Sequence, residues 1–175
     1  MMTNTQKGVL QGLLIGIVLS VLIVAIGSIC DVFNLEKIDN KITIAFNSLI
    51  IPGVFLVIAV ARLAKYRFFS DTDINGSGLT QGSQQAKILQ SLIQNTLEQL
   101  CIAFVAYTAW SAAMPAQSMS TIIFAAITFA LGRVLFFVNY RKGAGARALG
   151  FTLTFYPSVV MIITVLGFKL YNLLH

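Results

Sequence analysis

Charge is what this chain has least of. Of its 175 residues, 10% are Asp, Glu, Lys or Arg, against 57% hydrophobic, and its mean hydropathy is +0.84. A soluble domain of this size has no means of hiding so much apolar surface from water. Histidine occurs once, as the terminal His175, which excludes a histidine-based catalytic site. The two cysteines, Cys30 and Cys101, lie in or at the edge of different apolar segments, which argues against a disulfide framework. There is no internal repeat, Walker motif, Gly-x-Ser-x-Gly, Cys-x-x-Cys pair or His-rich ligand set, so no metal site is expected.

What the chain does have is long apolar runs, at 9–30, 42–61, 88–112, 119–140 and 148–168. Each approaches the roughly 20 residues that carry a helix across a bilayer. The first is too long for the apolar part of a cleaved signal peptide and is read as a span. The expected fold is therefore all-α: an integral membrane helical bundle of five spans. The connection over 66–86 is rich in Asp, Asn, Gly, Ser and Gln and reads as a solvated loop. Its stretch from Asp71 to Gly76 hints at a calcium loop, but Gly82 stands where the twelfth-position glutamate belongs.

A net charge of +6 invites a nucleic-acid partner, but the basic residues sit at segment ends rather than in one patch. That is where snorkelling and leaflet electrostatics place them, so the expected partner is the lipid bilayer. Alternating crossings put Lys7, Arg62, Lys65, Arg67, Lys87, Arg141, Lys142 and Arg147 on one side. Lys37, Lys41 and Lys169 fall on the other, with Asp31, Glu36 and Asp39 beside the first two. The positive-inside rule then makes the first group, and the N-terminus, cytoplasmic. A bacterial inner membrane and an endoplasmic-reticulum-type membrane fit equally well.

Two charges alone lie inside apolar runs, Glu98 and Arg133. At membrane depth such a group is expected to be paired, buried in a bundle and functional. In the third run Ser91, Gln94, Asn95 and Glu98 recur at offsets of three and four, on one helical side. In the fourth, Arg133, Phe136, Phe137 and Tyr140 do the same. Glu98 and Arg133 on neighbouring helices are expected to pair, with Tyr140 and Arg147 at the mouth of a polar cleft. From the residues alone, glue between helices and a ligand site both stay open.

These two helices resemble the MAPEG superfamily, the membrane-associated proteins in eicosanoid and glutathione metabolism. Its second core helix carries Arg-x-x-x-Asn-x-x-Glu; here the stretch runs from Ser91 through Asn95 to Glu98. Its third carries Arg-x-x-Tyr-x-x-x-Tyr and a further arginine seven residues on; here stand Arg133, Phe136, Tyr140 and Arg147. The resemblance runs from Ile42 to the C-terminus and implies a four-helix MAPEG-like domain over 42–175, with 1–41 an additional N-terminal helix and outer loop. It implies a glutathione site at Asn95, Glu98, Arg133 and Tyr140, with Arg147 as the catalytic group favouring the thiolate. It also implies a homotrimer acting on hydrophobic small molecules, as a glutathione-dependent transferase or peroxidase. Ser91 and Phe136 depart from the family pattern, and they motivate the alternative of a non-catalytic lipid- or ligand-binding accessory protein.

Overall fold

The computed structural model describes residues 2–35, 40–76 and 78–175; Glu36, Lys37 and Asp39, used above in assigning sidedness, lie outside the described residues. Five long helices follow one another: α1 (Asn4–Ile29), α2 (Lys41–Phe68), α3 (Gln84–Ala113), α4 (Ser120–Asn139) and α5 (Ala144–Leu174). Short 3₁₀ turns at Ala116–Met119 and Tyr140–Lys142 lead into α4 and out of it. No strand occurs among the described residues. The chain is an all-α integral membrane bundle.

Local chemistry sets the helix starts. Before α1, Thr3 and Gln6 form a reciprocal capping box, each side chain accepting from the other's backbone N–H. Before α3, Ser83 caps the N–H of Ala86 and gives its own N–H to the Asp73 carboxylate at 2.7 Å. The Asp71–Gly76 stretch is thus no simple solvated loop: Asp73 is buried and also accepts from the Ser70 hydroxyl. The hydrogen bond from the Ser83 N–H is the main reason the Asp73 carboxyl is held below its ordinary value.

Four helices, α1, α2, α4 with its flanking turns, and α5, are long and apolar enough to cross a membrane. At 30 residues α3 matches them in length, but it carries the polar stripe that lowers its hydropathy. The main core lies toward the C-terminal half of α3, around Tyr107, Trp110, Ile122, Phe129 and Met161. A smaller apolar cluster of Leu63, Leu89, Leu92 and Phe136 closes the opposite end.

The order of packing differs from the expected one. α2 lies along α3, α4 along α5, and α5 also against α3, so that α3 and α4 stand diagonally and scarcely touch. The α4–α5 crossing is close because Gly132 and Gly150 meet: a Cβ at Gly150 would lie 2.5 Å from the Phe136 nitrogen. α1 packs outside this four-helix ring, chiefly on α5 and next on α4.

Candidate functional site

Arg133 projects from α4 into the middle of the ring and is fully buried. One terminal nitrogen donates to Asn95 Oδ1 of α3 at 2.8 Å, and the other to Thr154 Oγ1 of α5 at 2.6 Å. Its guanidinium also lies over the rings of Phe136, at 4.5 Å, and Phe129, at 5.7 Å. Its Nε finds no hydrogen-bond acceptor among the described residues. The side chain thereby bridges the diagonal that the backbones of α3 and α4 do not close.

The expected Glu98–Arg133 pair does not form. Glu98 is exposed and accepts from Gln94 at 2.9 Å, one turn back on its own helix. The reason is helical phase. Leu92, Thr96 and Gln99 define the buried side of α3, Asn95 sits at its border, and Ser91, Gln94 and Glu98 lie just beyond it. The stripe seen in the sequence is split between two faces. Ser91 satisfies its hydroxyl on the Lys87 carbonyl within the same helix.

Three of the five singled-out residues do come together. Asn95, Tyr140 and Arg147 line one cavity of about 370 Å³, with Phe136 and Phe151 beside them. Arg147 stacks its guanidinium 4.2 Å above the Tyr140 ring, and that ring meets Phe136 edge-on at 5.3 Å. Gly143, at φ +100°, makes the turn that brings Tyr140 and Arg147 face to face; a side chain there would be strained. The Arg147 guanidinium makes no hydrogen bond to any described side chain, so its donors remain available to a ligand.

Arg133 does not line this cavity. It is fully buried, and its hydrogen bonds go to Asn95 and Thr154. Its bond to Asn95 Oδ1 leaves the Asn95 amide nitrogen to donate elsewhere. Arg62 and Lys87, basic residues that could stand in for the arginine replaced by Ser91, do not line the cavity. Arg62 rests over the Phe137 ring at 5.4 Å, and Lys87 lines a separate hollow with Arg67, Asp73 and Ser91. Among the described residues, no group of three or more His, Cys, Asp or Glu is gathered as for a metal.

Thr154, Phe151 and Tyr156 of α5, and Val9 and Leu13 of α1, belong to this region without having been singled out as ligand-site residues. Thr154, Tyr156, Val9 and Leu13 carry no signal that sets them apart within apolar helices.

The model of the MAPEG family matches residues 42–167, most of the chain, and spans α2 to nearly the end of α5. The chain belongs to the MAPEG family. Neither the curated proteins nor the solved structures compared with it gave a match. The family stretch includes Asn95, Tyr140 and Arg147, and α1 stands outside it. The cavity is therefore built from the MAPEG helices plus one wall that the family match does not reach.

Proposed function

We propose that this MAPEG protein is a glutathione-dependent transferase or peroxidase acting on hydrophobic electrophiles drawn from the bilayer. The observation that carries the reading is the convergence of Asn95, Tyr140 and Arg147, separated by up to 52 positions, on one cavity. Its volume falls in the usual range for small-molecule sites, and its walls join a few polar groups to aromatic and aliphatic ones.

Glutathione would supply a thiol that is oxidised by a hydroperoxide or forms a carbon–sulfur bond as a leaving group departs. The chain's part is to bind and to bias. Arg147 draws a thiol of ordinary pKa, roughly 8.5, toward its nucleophilic form. Tyr140 holds that guanidinium from below and offers its hydroxyl. Asn95, oriented by Arg133, presents its amide N–H to a peptide carbonyl or carboxylate. Phe136, where the family has tyrosine, contributes a ring and no hydroxyl.

A homotrimer, five crossings and a cytoplasmic mouth belong to the same proposal. Glu98 and Gln94 form an exposed polar patch on α3 that hydrocarbon would leave unsatisfied. A neighbouring copy seated there would cover it and admit Glu98 to a shared site. With that face covered, α3 crosses as the fifth span, and the basic ends that include Arg147 face the cytoplasm.

Purified protein in detergent is to be assayed for conjugation of a reactive aryl halide and for lipid-hydroperoxide reduction. Turnover of either is the expected result. No turnover together with no glutathione binding at millimolar thiol ends the reading. Phe136 and Ser91 favour a second one, a non-catalytic module that holds a lipid or another ligand. Native mass spectrometry showing a co-purified lipid and no thiol affinity would establish that alternative.

A further inference from the structure

Val9 and Leu13 lie one turn apart on α1, half-buried, while Leu10 and Leu14 beside them are exposed. Both line the cavity that holds Arg147. Both also line a second hollow of about 350 Å³, shared with Met2, Thr5, Gln6 and Leu10. Two aliphatic side chains therefore stand between the Arg147 cavity and an apolar recess along the outer side of α1.

Their position is fixed by close helix packing. Gly8, Gly12 and Gly16, spaced by four, face Gly145, Ala148 and Thr152 of α5, and any Cβ at Gly12 would lie 2.8 Å from the Ala148 Cβ. Thr152 Oγ1 donates to the Gly12 carbonyl at 3.1 Å, which ties the two backbones in register. Opposite this wall, α5 supplies Phe151 and, farther along, Tyr156. From Arg147 to Tyr156 the helix advances about 14 Å, at roughly 1.5 Å per residue. The cavity's lining on α5 thus runs over that length, from Arg147 through Phe151 to Tyr156.

We propose that Val9 and Leu13 are the specificity-determining wall of the site, selecting co-ligands by the length of an unbranched hydrocarbon chain that extends from a reactive end at Arg147 along the cavity beside the α1–α5 seam. The proposal rests on the glutathione reading above and adds the residues that set the chain length of the co-ligand. The wall comes from α1, so it is a property of this chain beyond the stretch matched by the MAPEG family.

S-alkyl glutathiones from methyl to decyl, titrated into the full-length protein in lipid nanodiscs, test it. Wild-type affinity should rise about fourfold per methylene while the chain lies within the walls, then level off. Leu13→Trp should abolish the rise, so that the decyl compound binds no tighter than the methyl one. Leu13→Ala, which joins the two hollows, should move the plateau to longer chains and decides the matter by itself if the tryptophan variant does not fold. Leu14→Trp, on the exposed side, should follow the wild-type profile. An unchanged chain-length profile in Leu13→Ala and Leu13→Trp overturns the wall while leaving the glutathione reading intact. A wild type that binds no member of the series overturns both.

Discussion

At position 133 a guanidinium is enclosed in the bundle with no carboxylate against it. Neutral oxygens of Asn95 and Thr154 and the faces of Phe136 and Phe129 take the place of a counter-ion. Removing one of these acceptors strands a buried donor, which costs about 1–3 kcal/mol. Thr154→Val should accordingly lower the melting temperature in detergent, and Thr154→Ser should restore it. A double-mutant cycle separates the observed partner from the expected one. Asn95→Ala and Arg133→Gln should be coupled, whereas Glu98→Gln and Arg133→Gln should add within about 0.5 kcal/mol. At position 147 the prediction concerns chemistry. Arg147→Ala should reduce conjugation near neutral pH on the order of a hundredfold, the scale typical of losing one preorganised electrostatic contact. The deficit should shrink as pH rises past roughly 8.5, where the thiol ionises unaided. Arg147→Lys should recover part of the loss, since it keeps the charge without the planar stack on Tyr140.

Helices α1 and α5 meet through small residues, so their contact has little tolerance for volume. Gly16 faces Thr152 so closely that any side chain must displace one helix. Gly16→Leu should cost about 1–3 kcal/mol and lower the melting temperature in detergent, as overpacking does. Gly53, whose Cβ direction meets nothing within 4 Å, provides the control: Gly53→Ala should not destabilise α2. The start of α3 depends on a different kind of contact, the Asp73 carboxylate bonded to the Ser83 N–H. That carboxyl is held below its ordinary value of 3.8, so its contribution is present above that value and lost as pH falls through the lowered one. The apparent melting temperature should therefore step down as pH is taken below about 4, and Asp73→Asn should remove that step.

For the whole molecule, the exposed Glu98 and Gln94 pose the question of assembly, because a charge facing hydrocarbon is costly. If a second and third copy cover this face, native mass spectrometry should find trimers, and Glu98→Ala should shift them toward monomers. A monomeric wild type would leave that patch to lipid or ligand and remove the trimer from the proposal. The bundle itself is arranged so that Arg133 is the only described link spanning the α3–α4 diagonal through a charged side chain. That places Asn95 at the border between packed interior and cavity, which is where a binding group must be both held and accessible.

Much of this was legible before any coordinates. A bilayer demands about 20 apolar residues per crossing, so hydropathy alone marks α1, α2, α4 and α5. Asn95, Tyr140 and Arg147 stood out because polar groups in apolar helices are few and their spacing matched a known pattern. Three things were decided only by tertiary structure: the diagonal placement of α3 and α4, the turning of Glu98 away from Arg133, and the placement of Val9 and Leu13 on the cavity. The physical reason is common to all three. Lipid and protein interior are equally apolar, so in a membrane protein hydrophobicity shows that a residue leaves water but not which way it faces.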